Sequence, residues 1–367
     1  MISVKESSFQ PLIHSAAFDI SLMIGPPLAS GLMVFFLNRH FSGVTAVGPL
    51  LWFLLVVGID VAHVYGSLFR TYLDPQLHDR GLLWAVPAAC WFLGTLLFSL
   101  SPAFFWTALA YVAVFHFVRQ QYGFAMIYSR RERGLPGFFR TLDKVTIFAV
   151  TLYPLLFWHT HLPRNFTWLI NNDFIAVQSA VIGLIGQALY FLVLAAYVGK
   201  EVWILKCHGR FNTPKNLLVL GTAVSWYVGI VWLNDDLAFT LTNVVSHGIP
   251  YIALVWMYGR KNPKTSVRIA GRSLFELRLI PVYLAVLLIL AYLEEGFWDG
   301  FIWKDHTPFF PTFSSLPLLQ DPLLLALVVP FLALPQSTHY VFDAFLWRST
   351  GQGSRWKEIL LAPEVTK

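Results

Sequence analysis

The chain has 367 residues, 56% of them hydrophobic and only 13% charged, with a formal net charge of +6. That balance lies far outside the range of a soluble globular domain. The excess of positive charge does not call for nucleic acid, because the basic residues gather in short loops between apolar stretches, where anionic lipid headgroups attract them.

Apolar stretches of membrane-crossing length, about 20 residues, recur from end to end. In chain order they predict ten spans: Ser15–Leu37, Val44–Phe69, Gly81–Leu100, Pro102–Tyr128, Val145–Trp158, Phe174–Val198, Leu217–Leu233, Leu237–Tyr258, Leu277–Leu293 and Pro322–Trp347. The fifth and ninth are short. The expected fold is therefore all-α, a polytopic bundle of ten transmembrane helices forming a single membrane domain over residues 1–367. The opening, MISVKESSFQPLIHSAAFD, lacks the basic n-region, short apolar core and cleavage site of a secretory signal, so the first span is expected to anchor the chain. Cys90 falls in a span and Cys207 in a predicted loop, a placement that argues against pairing. No repeat of 20–50 residues is present.

The charges alternate with the spans. Loops after even-numbered spans hold Arg70 and Arg80; Arg130, Arg131, Arg133 and Arg140; Lys200, Lys206, Arg210 and Lys215; and Arg260, Lys261, Lys264, Arg268 and Arg272. The tail adds Arg348, Arg355 and Lys357, whereas loops after odd-numbered spans carry Asp235, Asp236, Glu294, Glu295 and Asp299. By the positive-inside rule both termini are expected in the cytoplasm.

Four histidines interrupt the apolar sequence inside spans two, four, eight and ten: His63, His116, His247 and His339. An ionisable side chain at membrane depth is costly and marks a functional position by default. All four helices run in the same direction, and each histidine precedes the end of its span by about 6–12 residues, roughly 9–18 Å at 1.5 Å per residue. The four imidazoles can thus lie at one depth. Each also has polar company on its own helix face. Asp60 stands three residues before His63, Asn243 four before His247, Gln120 four after His116 and Asp343 four after His339. Arg119, three beyond His116, adds a charge for which Asp60 or Asp343 is a candidate partner. Such neighbours suit metal-bound imidazoles, whose second N–H usually goes to a carboxylate, amide or carbonyl. The competing reading is purely structural, with His, Asn and Gln hydrogen-bonding helix to helix.

The other histidines carry less. His14, His40, His78, His208 and His306 fall in the tail or loops, and His159 with His161 forms a single H-x-H pair. The clustered histidine boxes of membrane desaturases are absent, as are H-E-x-x-H, G-x-G-x-x-G and a P-loop. Asn234-Asp235-Asp236 stands without a second aspartate motif and reads as an ordinary loop.

Four patches, IDVAHVYG around His63, VFHFVRQQYGF around His116, VVSHGIPYIALVW around His247 and QSTHYVFDAFLWR around His339, resemble the Brp/Blh family of membrane β-carotene dioxygenases. The likeness lies in the order and spacing of about 50 residues. In that family one span presents two histidines a turn apart; here the matching helix has His247 with Tyr251 at i+4. The resemblance implies an all-helical protein of a bacterial cytoplasmic membrane with one non-haem Fe(II) ion.

The resulting expectation is an iron-dependent oxygenase that acts with O2 on a lipophilic substrate from the bilayer, a carotenoid or another isoprenoid. His63, His116, His247 and His339 are the expected ligands, and imidazole suits iron. Asp60, Asp343, Gln120, Asn243 and Arg119 are expected around them, with Tyr122, Tyr251 and Tyr340 lining the substrate cavity. Three other readings stay open: a binuclear-iron lipid oxidase or desaturase bridged by Asp60 and Asp343, a haem-binding electron carrier, and a proton-coupled transporter.

Overall fold

A computed structural model describes residues 10–41, 47–77, 80–132, 134–262, 264–265, 267–347 and 355–361. His78, Arg133 and Arg348 lie outside them. Among the described residues nine helices are long and apolar enough to cross a membrane. They are Ala16–Phe36, Pro49–Arg70, Leu82–Leu100, Pro102–Tyr128, Gly137–Thr160, Ala180–His208, Thr213–Trp232, Asp236–Lys261 and Leu277–Trp303. The pair Pro322–Leu332 and Leu334–Leu346, bent by 44°, passes the same test only when taken together, and brings the count to ten when it is taken as one span. The bend sits at Ala333 between Pro330 and Pro335, where each ring deprives the helix of a backbone donor. The sequence pattern alone predicts this stretch as one span, Pro322–Trp347.

The contacts group the chain into two compact units. One comprises Met1–Thr45, Phe117–Phe166 and Ile175–Ser246, the other Ala46–His116, Thr167–Phe174 and His247–Lys367.

In the first unit, the seventh span packs on the first and the fifth on the sixth. Two of these helices exceed their predicted lengths, for one electrostatic reason. The fifth begins at Gly137 instead of Val145 and contains Asp143; the sixth begins at Ala180 instead of Phe174 and runs on through Lys200, Glu201 and Lys206 to His208. Lys200, Lys206 and Cys207 are thus helical, not in a loop. The charges are neutralised within the bundle. Lys200 Nζ pairs with Asp143 and, at 2.7 Å, with Glu201; Lys215 Nζ reaches Glu132 and Glu201 at 2.7 Å and Asp143 at 3.3 Å. Ser179 starts the sixth helix by accepting from the Ile182 N–H, and Gly209 ends it in the left-handed region at φ 61°. Asp235 caps the eighth span by accepting from the Ala238 N–H.

In the second unit, the ninth span packs on the second, and the tenth on the second and third. Its apolar core gathers Phe105, Trp106, Leu109, Ala113, Trp298, Val329, Ala333 and Tyr340. The second and eighth spans approach closely because two glycines stand at their contact. A Cβ on Gly248 would lie 2.6 Å from Ile59 Cγ2, and one on Gly66 would lie 3.3 Å from the Tyr251 ring. The ninth span departs from expectation by continuing past Leu293 to Trp303, its last turn π-helical. Glu294, Glu295 and Asp299, predicted in an outer loop, therefore lie within it, and Glu294 and Asp299 are buried. Arg70, also buried, pairs with Asp74 at 2.9 Å and stacks on Tyr258.

Candidate metal centre

All four in-span histidines belong to the second unit. The second span becomes π-helical over Phe53–Val61 and returns to α-helix at Ala62, so His63 follows immediately on the wider turn. Single π-turns inside helices re-aim the residues beside them and recur at functional sites. His339 comes six residues after the bend of the tenth span. His116 and His247 sit in long, unbroken helices. His63 and His116 are 2% and 4% exposed, His247 and His339 not at all.

The four rings turn the same atom inward. Nε2 of His247 lies 3.0 Å from Nε2 of His63 and 3.2 Å from that of His116, whose Nε2 is 3.1 Å from that of His339. The ring planes stand at 66–89° to one another, edge to face. Hydrogen bonds do not account for these three contacts. A neutral imidazole nitrogen carries either a proton or a lone pair, never both. His247 Nε2 would have to share one proton between two neighbours, or one lone pair between two donors, and so would His116 Nε2. One cation at the centre accepts from all four lone pairs at once.

The distances fit such a cation. Nitrogens bound to one metal at about 2.0–2.1 Å stand roughly 2.9–3.4 Å apart when adjacent and no more than about 4.2 Å when opposite. The contacts of 3.0–3.2 Å fall in the first range, and all four candidate ligand atoms lie within 4.8 Å of one another. Inward movement of a few tenths of an ångström closes the difference. The geometry does not fit haem, because a porphyrin between two axial histidines needs the equatorial space that the other two imidazoles occupy.

Two of the four outward nitrogens have a carboxylate nearby, beyond hydrogen-bond reach. Asp60 Oδ1 is 3.7 Å from His63 Nδ1, and Asp343 Oδ2 is 3.8 Å from His116 Nδ1. Asp343 is one turn from His339 in sequence but turns to the histidine of another span; its second oxygen accepts the Tyr251 hydroxyl at 2.8 Å. Both carboxylates lie behind the rings, on the side opposite the converging Nε2 atoms.

Tyr251 and Tyr340 flank the imidazoles, with ring centroids 5.0 Å from His339 and 5.2 Å from His116 respectively. The remaining sequence candidates belong to the first unit. Asn243 donates to the Phe239 carbonyl of its own helix at 3.0 Å, so that amide N–H does not serve an imidazole. Gln120 is half-buried. Arg119 is not a deep charge seeking a carboxylate: it is exposed, with its guanidinium 5.2 Å over the Tyr122 ring. Tyr122 itself stacks on Phe148, not on an imidazole. In the H-x-H pair, Nδ1 of His159 and of His161 lie 2.6 and 2.8 Å from the Leu155 and Phe157 carbonyls of their own helix.

Sequence reading missed the buried Arg70–Asp74–Tyr258 group. Its signal was present as the i, i+4 spacing of Arg70 and Asp74, but the stretch read as a loop. No family model, curated protein or solved structure matches the chain.

Proposed function

We propose that this chain is an integral membrane protein, both termini in the cytoplasm of a bacterial cell, whose four imidazoles hold one Fe(II) ion, and that it oxidises a lipophilic substrate, a carotenoid or another isoprenoid, with O2. The observation that carries the metal is the set of three Nε2–Nε2 contacts that protons cannot satisfy. The all-imidazole donor set suits iron as it suits zinc, copper and nickel, and the choice of iron and of oxygen chemistry rests on the family likeness of the four histidine patches. Bound iron would supply the activation of O2.

The chain's own residues do the rest. Asp60 and Asp343 place a carboxylate 3.7 and 3.8 Å from the outward nitrogens of His63 and His116, which favours the proton there and leaves Nε2 free for the ion. The near-complete burial of all four imidazoles limits the access of bulk water to the centre. Tyr251 and Tyr340 supply aromatic walls beside the imidazoles. The placement of both carboxylates behind the rings supports one ion over two bridged by Asp60 or Asp343.

The test is metal content and absorption of the detergent-purified chain, followed by expression in cells that make β-carotene. One iron per chain and O2-dependent bleaching with release of an apolar aldehyde are expected, with the colour retained by His247→Ala. Iron without bleaching removes β-carotene as substrate and leaves another lipid. Absence of iron removes the whole reading, and two ions per chain support the binuclear one.

A further inference from the structure

Tyr251 combines three features that packing alone does not require. It is 1% exposed, its hydroxyl donates to Asp343 Oδ1 at 2.8 Å, and its ring lies 5.0 Å from that of His339 and 5.6 Å from that of His63. Loss of an electron turns a phenol into a strong acid, so a tyrosine gives up an electron readily only where a base already holds its proton. A buried, hydrogen-bonded carboxylate is such a base, and networks of this kind are strengthened by the low dielectric around them.

Two neighbours sharpen the assignment. Tyr340 is as close to the imidazoles, 5.2 Å from His116 and 5.6 Å from His339, yet its hydroxyl makes no hydrogen bond among the described residues. Trp347, 6.5 Å from Tyr251, is the next ring to which oxidation could spread. The guanidinium of Arg70, itself paired with Asp74, lies 4.8 Å over that indole and opposes a positive charge on it.

We infer that Tyr251 is a one-electron donor to the four-histidine centre, passing its proton to Asp343. The inference rests on the metal reading above and adds a radical site to it. With hydrogen peroxide as oxidant the step balances: cleavage of the O–O bond to two water molecules takes two electrons and two protons. One electron comes from the ferrous ion and one from Tyr251. The phenolic proton moves along its existing bond to Asp343, and the two protons for water come from solvent. Tyr251 is left as a neutral tyrosyl radical beside a carboxylic acid.

The full-length chain, loaded with ferrous ion in detergent, is mixed with one equivalent of hydrogen peroxide, frozen and measured by electron paramagnetic resonance. A tyrosyl signal is expected that narrows when ring-deuterated tyrosine is incorporated. Per bound iron, Tyr251→Phe should lower it more than tenfold and Tyr340→Phe should leave it in place. Asp343→Asn, which keeps an acceptor oxygen but is no base, should lower it as well. 3-Fluorotyrosine placed at position 251 gives a second reading in a fold that stays intact, because the fluorine must split the signal.

A signal that persists in Tyr251→Phe, or is unchanged by fluorine at 251, overturns the inference. So does an iron-loaded wild type with no radical, although lipid oxidation by that protein would leave the oxygenase reading standing. A chain that takes up no iron sinks both.

Discussion

Replacing His247 by alanine should remove most of the metal affinity, and the structure says how much. His247 Nε2 is the atom in contact with both His63 and His116, so its loss removes the 3.0 Å nitrogen–nitrogen contact of His63 while His116 and His339 remain 3.1 Å apart. Four-ligand sites bind with about 10–16 kcal/mol, or roughly 2.5–4 kcal/mol per ligand, which corresponds to about 10²–10³-fold in Kd. At a metal concentration about 100 times the wild-type Kd, the ion stabilises the wild type by about 2.7 kcal/mol; with a Kd some 300-fold weaker the variant gains only about 0.2 kcal/mol. For a compact unit of 150–250 residues, 1 kcal/mol moves Tm by about 2–4 °C. The wild type should therefore rise by about 5–11 °C on adding ferrous ion, and the variant by less than about 1 °C. Deleting a ring with no solvent exposure also leaves a cavity that lowers the metal-free Tm, so the quantity to compare is the increment with metal. Thermal unfolding in detergent, paired with metal counting, gives both. A full increment and unchanged stoichiometry in His247→Ala would refute a four-imidazole site.

Asp60→Ala and Asp343→Ala should each weaken metal binding roughly 10–100-fold, read by competition with a chelator, because each removes the carboxylate nearest an outward imidazole nitrogen. Gly248→Ala forces a methyl to within 2.6 Å of Ile59 Cγ2, costing about 1–3 kcal/mol and spreading the helices that carry His63 and His247; Ile59→Ala in the same chain should restore both stability and metal affinity. Arg70→Ala leaves buried Asp74 without its cation and should cost about 3–5 kcal/mol in thermal or denaturant unfolding, with the double change Arg70→Met, Asp74→Leu milder. His306, outside the spans and stacked on Trp52, is held by burial below the usual histidine range of 6.5, against the opposing pull of Asp299 and Asp305. The unfolded chain thus takes up its proton more readily, so this contribution to stability is complete above about pH 6.5 and declines as pH falls below it; His306→Gln should flatten the decline in Tm measured between pH 7 and 5.

The apolar spans were legible because a membrane-crossing helix announces itself in one dimension: its hydropathy and length are properties of consecutive residues. The four histidines were legible for the same reason, as costly polar residues whose depth follows from counting along a helix. Helical period fixes where a side chain stands along and around its own axis, but not which neighbour lies opposite. Only packing brought the four Nε2 atoms to one point, turned Asp343 from His339 to His116 and Tyr251, and left Arg119 on an exposed face. Helix ends set by charge were hidden too. Asp143, Lys200 and Glu201 read as loop residues, yet ion pairs from other helices keep them inside spans. Glu294 and Asp299 were misplaced by the same local rule, because burial inside a continuing helix depends on the walls around it. What a residue costs in lipid is written in the sequence; what offsets that cost is a partner on another helix, and that is decided only when the helices pack.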